Sequence, residues 1–327
     1  MDALREGVTL ALYSSKLGLD LVSCTNFCST GDDPWWCGLT VAFTVLPSVA
    51  INAYLLYILH DKPSFFEVYK KVLLCIAACL QFLPFIWLAW SFVQLCRSNS
   101  KEINEIKKTT LAIMIIQGVL ECVPQLSIQS YVVMEQFQNT FNATDNADPP
   151  PDGSLLDDWR YIIILVNLVV GLILVTFAIS SGASYTAGEE GEEEEDEGTI
   201  ELVMRIVLYL FPFIGIGTRV FICGVLATYN PGFWFIPSCS ALLLSAVWNY
   251  IFKKDKTWDE RLLDSIFNST GNFLTKSSVP ASFAYFLPAT VFFALNVENP
   301  LCIAAFSLGL ICLLINITVA ALGHFLK

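Results

Sequence analysis

Nine long apolar runs decide what this chain can fold into. They lie near residues 9–27, 35–59, 72–96, 110–134, 160–182, 201–228, 232–252, 280–297 and 300–323 of 327. A helix crossing about 30 Å of hydrocarbon needs about 20 mostly apolar residues. Hydrophobic residues make up 55% of the chain and charged residues 15%, with a mean hydropathy of +0.61. A single soluble core does not bury that much apolar surface, so the bilayer must take some of it. The expected fold is an all-α polytopic membrane protein. It forms one integral membrane domain over 1–327, with about eight transmembrane helices plus re-entrant or partly embedded helices.

The net charge of −12 is local, because eight of the negatives sit between Glu189 and Glu197. Without them the balance is −4, so the acidity points to no basic partner and no nucleic acid. The stretch 183–200 is expected to be an acidic, disordered cytoplasmic loop, since it has no apolar periodicity. Most cysteines lie inside apolar runs, where they behave as small hydrophobes. Cys28 and Cys37 flank a short loop and are placed to pair if that loop faces an oxidising space. The two histidines, His60 and His324, are far apart, and no Cys–His spacing suits zinc, so no metal is expected. The first apolar run is broken by Lys16 and Asp20, unlike a cleavable signal.

Basic residues in short loops mark the cytoplasmic side. They cluster at Lys62, Lys70 and Lys71, at Arg97, Lys101, Lys107 and Lys108, and at Lys253, Lys254, Lys256 and Arg261. Clusters on both sides of 72–96 conflict with a single crossing. A hairpin turning at Pro84 and packed inside the bundle resolves the conflict; a single kinked span is the alternative. With the hairpin, both termini are cytoplasmic and 135–158 is an exterior loop, which carries a glycosylation sequon at Asn142. The sequons at Asn268 and Asn316 should be unused. The stretch 262–279 is too polar to span and is expected to lie at the inner surface or dip into the bundle.

Polar groups inside the runs form stripes. Gln117, Glu121, Gln125 and Gln129 are four apart and share one helical face, drifting slowly around it. Pro124 interrupts this stripe and frees a backbone carbonyl. Thr9, Tyr13, Lys16, Asp20 and Ser23 share a face of the first run, and Lys16 and Asp20 are spaced to pair. Thr40, Thr44, Ser48 and Asn52 repeat the step of four in the second. Arg205 and Arg219 lie on roughly one face of the sixth. A charged side chain at mid-bilayer costs about 2.5–3.5 kcal/mol on insertion scales. Such groups must face one another or water, and a cluster of Asp20, Glu121, Arg219 and Lys16 is expected. Pairs of this kind fix helix register in many proteins. Three stripes in one chain favour a hydrophilic path instead.

The stretch Leu120-Glu121-Cys122-Val123-Pro124-Gln125-Leu126, followed by Gln129, resembles the LE-x-x-PQL-x-x-Q motif of the XK-related family. Leu19-Asp20-Leu21-Val22, Trp35-Trp36, Leu46-Pro47-Ser48 and Thr218-Arg219-Val220 resemble further family elements. The resemblance implies an eight-crossing helical fold in the plasma membrane. For several members it implies scrambling of phosphatidylserine between leaflets, switched on in apoptosis by caspase cleavage of a cytoplasmic tail. Other members anchor a lipid-transfer protein. It also implies a headgroup path lined at Asp20, Glu121 and Arg219. This chain ends at Lys327 directly after the last run, and Asp196-Glu197 is a poor cleavage context, so caspase activation is not expected.

The function expected is ATP-independent phospholipid scrambling, with Lys16, Asp20, Gln117, Glu121, Gln125, Gln129 and Arg219 lining the path. No nucleotide loop occurs, and no nucleophile, cofactor or bond cleavage is required, so the chain is not read as an enzyme. The partners expected are membrane phospholipids, with a dimer also compatible. The competing reading is an anchor or adaptor for a lipid-transfer protein or a single-span partner. An ion or solute transporter is a third.

Overall fold

The computed structural model describes residues 2–30, 34–60, 83–96, 103–145, 159–188, 199–233, 235–253, 261, 264–266 and 278–325. Among these residues no strand occurs. The helices are α1 (Asp2–Thr30), α2 (Pro34–His60), α3 (Leu83–Cys96), α4 (Ile103–Ile116), α5 (Val123–Asp145), α6 (Trp159–Gly188), α7 (Thr199–Tyr229), α8 (Phe235–Phe252), α9 (Ser278–Leu295) and α10 (Pro300–Phe325). A π-helical segment, Gln117–Cys122, joins α4 to α5. Among the described residues, six helical stretches are long and apolar enough to cross a membrane, in α2, α6, α7, α8, α9 and α10. The chain is thus an all-α polytopic membrane protein. Helix α1 falls below that apolarity because it carries a polar stripe, and the α4–α5 run is divided by its π segment into shorter elements.

Local chemistry sets several helix ends. Pro34 and Pro300 open α2 and α10, where a missing N–H costs nothing because the first-turn donors have no intrahelical partner. Asn299 caps α10, its Oδ1 accepting the Leu301 N–H at 2.9 Å.

The chain divides into two compact units, Met1–Gln125 with Val169–Ala178 and Leu126–Leu168 with Ile179–Lys327. In the first, Tyr13, Ile51, Leu55, Trp87, Leu88 and Ile113 of α1 to α4 form a core. The α1 backbone comes close to α3 at Gly7, where a Cβ would lie 3.2 Å from the Phe92 ring. In the second, small residues of α7, α8, α9 and α10 close the core, among them Cys223, Ala241, Ala281, Ala284 and Ala305. Gly224 of α7 meets Ser130 of α5 so tightly that an added Cβ would sit 3.0 Å from the Ser130 Cβ and carbonyl carbon. Small residues at such crossings are how membrane helices approach one another.

Several expected boundaries move. Helix α5 continues to Asp145, covering 135–145 of the stretch read as an exterior loop, while 146–158 lie outside the described residues. Helix α6 runs to Gly188 and α7 begins at Thr199, so 189–198, the acidic part of 183–200, lie outside them too. The first arm of the expected 72–96 hairpin, residues 72–82, is likewise outside. The other arm, α3, starts at Leu83 with Pro84 in its first turn. At 14 residues it rises about 21 Å, less than a bilayer core.

Within the polar 262–279 stretch, Asp264–Ile266 are helical and dock with Arg261 on the end of α8. Asn249 Nδ2 donates to Ser265 Oγ at 2.9 Å, and Lys253 Nζ pairs with Asp264 Oδ2 at 2.7 Å. Asn268 lies outside the described residues. Asn316 is buried in α10, out of reach of glycosylation. Cys28 and Cys37 form a disulfide with Cα atoms 4.9 Å apart, tying the end of α1 to the start of α2.

Candidate functional site

The first unit holds a hydrogen-bonded row of polar side chains. On α1 the buried face reads Glu6, Thr9, Tyr13, Lys16, Asp20 and Ser23. Alternating steps of three and four keep these residues on one side of the helix. The row spans about 26 Å at 1.5 Å per residue, close to the full hydrocarbon thickness. Lys16 and Asp20 are each 0% exposed and form an ion pair.

Lys16 is the hub. Its Nζ donates to Asp20 Oδ1 and, at 2.7 Å, to Gln125 Oε1. Gln125 turns its other end to α2, where Nε2 donates to Thr44 Oγ1 at 2.7 Å. Thr44 in turn donates to the Thr40 carbonyl at 2.9 Å. Glu121 is buried within hydrogen-bonding reach of Asp20 and Gln117. One connected set therefore links Gln117, Glu121, Asp20, Lys16, Gln125 and Thr44. Each buried polar group that keeps a partner avoids a desolvation cost of several kcal/mol in apolar surroundings.

The local fold explains how the α4–α5 residues reach this set. A step of four in an α-helix overshoots a full turn by about 40°, so Gln117, Glu121 and Gln125 would drift away from one line. The π segment widens the turn over Gln117–Cys122, with the Val123 N–H donating to the Gly118 carbonyl. That wider turn takes up the overshoot. It lies immediately before Pro124, where the sequence predicts a disrupted ladder. Gly118 admits the widened turn against α6, since a Cβ there would meet Ala178 Cβ at 3.3 Å.

The second unit holds Arg219 and Gln129. Arg219 is buried, its Nη2 donating to Ser282 Oγ at 3.1 Å and its Cζ 5.2 Å from the centre of the Tyr285 ring. Asn316 Nδ2 donates to the same Ser282 oxygen at 2.7 Å, and Ser278 Oγ donates to Asn316 Oδ1 at 2.8 Å. Tyr285 donates from its hydroxyl to Ser238 Oγ at 3.1 Å. Gln129 is 1% exposed, and neither of its amide atoms has a hydrogen-bond partner.

The structure thus gathers Lys16, Asp20, Gln117, Glu121 and Gln125 within one unit. Gln129 and Arg219 belong to the other, and the expected meeting of Arg219 with Asp20 and Glu121 stays a proposal. Among the described residues no His, Cys, Asp and Glu group suits a metal. Sequence reading missed Glu6, which lies one step of three before Thr9 on the same face. It also missed Ser282, Tyr285 and Asn316, whose signal is faint: a serine at Ser278 and Ser282, a tyrosine three further on, and one asparagine in an apolar helix.

Fold and interior define a polytopic helical membrane protein with charged residues at the buried contacts of its helices. The chain belongs to the XK-related protein family, whose sequence pattern matches residues 6–275. A search of curated proteins finds no match.

Proposed function

We propose that this chain is a phospholipid scramblase, moving phospholipids, phosphatidylserine among them, between leaflets without ATP. One observation carries the reading: five of the six buried-face positions of α1 from Glu6 to Ser23 are polar or charged, and the sixth, Tyr13, carries a hydroxyl. Register needs one or two such contacts, and a packing face between membrane helices is otherwise built from small residues. A row of this length offers hydrogen bonds at every depth. A headgroup moving along it exchanges water for Lys16, Asp20, Glu121 and the amides of Gln117 and Gln125, while its acyl chains remain in lipid. The groups are buried in this conformation, so transport requires an open state, a minor population in the resting protein.

The orientation has support at both faces. Disulfides persist in oxidising spaces, which favours an exterior α1–α2 connection. Lys253, Lys254, Lys256 and Arg261 after α8 favour a cytoplasmic side there. The same rule gives cytoplasmic termini, and the plasma membrane is the membrane we propose.

The test is transbilayer movement of acyl-labelled fluorescent phosphatidylserine by the purified chain in liposomes, read by extraction into albumin. Glu121→Leu should abolish it, while Glu121→Gln, which keeps a polar group, should retain part of the rate. Equal rates in wild type and Glu121→Leu would remove the row from the path. Purified protein that moves no lipid but retains a lipid-transfer protein or a single-span partner would favour the anchor reading.

A further inference from the structure

We infer that the Cys28–Cys37 disulfide is a thiol-reducible lock on the exterior end of the polar row; the inference rests on the scramblase reading above. The bond is the terminal rung of the same seam that carries the row. On α1, Lys16, Asp20, Cys24 and Cys28 follow one another by steps of four, each turned about 40° further round the helix, and the contacts of Cys24 and Cys28 show that the turn is toward α2. On α2, Cys37, Thr40, Thr44 and Ser48 follow by steps of three, four and four and share one face. Below the disulfide the next contact is Cys24 Sγ to Thr44 Oγ1 at 3.7 Å. Thr44 then accepts from Gln125, which accepts from Lys16, the partner of Asp20.

The rungs differ in kind. Hydrogen bonds below the disulfide exchange readily with the donors and acceptors of a passing headgroup. The covalent rung does not. It holds the Cα atoms of Cys28 and Cys37 4.9 Å apart, which leaves no room for a headgroup between α1 and α2 at that end. Between α1 and α2, a headgroup can enter or leave the row there only if the two helix ends separate.

The bond is also open to attack. Cys28 is exposed and Cys37 half-buried. Exposed disulfides are the labile and regulatory ones, because a thiolate must reach the sulfur to exchange. Reduction by a dithiol breaks one S–S bond and forms two thiols on the protein. The two protons and two electrons come from the dithiol, which closes to its own disulfide. Once the bond is open, α1 and α2 are held at this end by non-covalent contacts alone, and the open state gains population.

The test uses the full chain in phosphatidylcholine liposomes carrying a trace of acyl-labelled phosphatidylserine. Movement is read by albumin extraction, because dithionite would itself attack the disulfide. Wild type is measured oxidised, and again after dithiothreitol followed by its removal without reoxidation. The Cys28→Ser/Cys37→Ser variant is measured in both conditions, with Cys239→Ser, at an exposed free cysteine of α8, as the control for reaction at other thiols. Reduced wild type and the untreated double variant should scramble faster than oxidised wild type by on the order of tenfold, the rise that takes an open state from about 1% to about 10%. Dithiothreitol should leave the double variant unchanged, and Cys239→Ser should keep the wild-type response. Equal rates in the oxidised and reduced protein, or a slower rate on reduction, overturn the lock and leave the scramblase reading standing. No lipid movement in any arm overturns that reading and the lock with it.

Discussion

The two units bury charge in different ways. In the first, an ammonium and carboxyl group of α1, a hydroxyl of α2 and an amide of the α4–α5 run bond to one another in a connected row. In the second, Arg219 lies over an aromatic ring and against a hydroxyl that Asn316 also holds. The row depends on partners of matched polarity, so losing one strands the others. The guanidinium is planar and weakly hydrated, which suits it to an aromatic face. The lesson is that a shared membrane setting does not impose one solution. The connected row and the stacked cation are different ways of holding charge among membrane helices, and mutations should separate them.

The largest effect expected is at Lys16. Lys16→Leu leaves Asp20 and Glu121 buried beside each other without their cation, a loss of about 3–5 kcal/mol by analogy with broken buried pairs. Thermal unfolding in detergent micelles should show it. Lys16→Leu combined with Asp20→Leu should recover part of the loss; a double variant as unstable as the sum of the singles would mean the row is not coupled.

Packing should break the comparison the other way. Gly224→Ala drives a methyl into the Ser130 backbone and should cost about 1–3 kcal/mol. Gly118→Ala meets only a side-chain methyl of Ala178 at 3.3 Å and should cost less. Equal melting temperatures for the two variants would contradict the tighter crossing in the second unit.

Arg219→Lys keeps the charge but loses the planar stack on Tyr285, and a cost of about 1–2 kcal/mol is expected. With Tyr285→Leu as background the same change should cost markedly less. An undiminished cost would show that the ring contributes nothing.

The smallest effect falls on Thr44→Val, which removes the hydroxyl that accepts from Gln125. A cost of about 1 kcal/mol is expected, typical of one hydrogen bond between membrane helices. Because Thr44 fixes which end of the Gln125 amide faces Lys16, scrambling should fall further than stability does. Thr44→Ser should restore both.

Much of this was legible in the sequence. Run length and apolarity marked the six helices that qualify as crossings, because a bilayer imposes its thickness on any helix that spans it. Spacing alone placed Thr9, Tyr13, Lys16, Asp20 and Ser23 on one face, because helical periodicity is local. The same locality explains why Lys16 and Asp20 could be paired in advance and why Pro124 could be marked as a point of disruption. The loop boundaries were less readable: from Glu135 to Asp145 only Phe137, Phe141 and Ala143 are apolar, too few to mark the end of α5 as an apolar run.

What only the tertiary structure decided is which stripe meets which. Spacing cannot say that Gln125 bridges Lys16 and Thr44, since those contacts join residues 109 and 81 positions apart. Nor can it say that Gln129, one step further along the same stripe, belongs to the other unit, or that Ser282 and Asn316 surround Arg219. The π turn at Gln117–Cys122 belongs here as well. A wider turn forfeits ideal local bonding, and it persists where the contacts it enables, with Asp20 through Glu121 and with Ala178 through Gly118, lie far away in the chain.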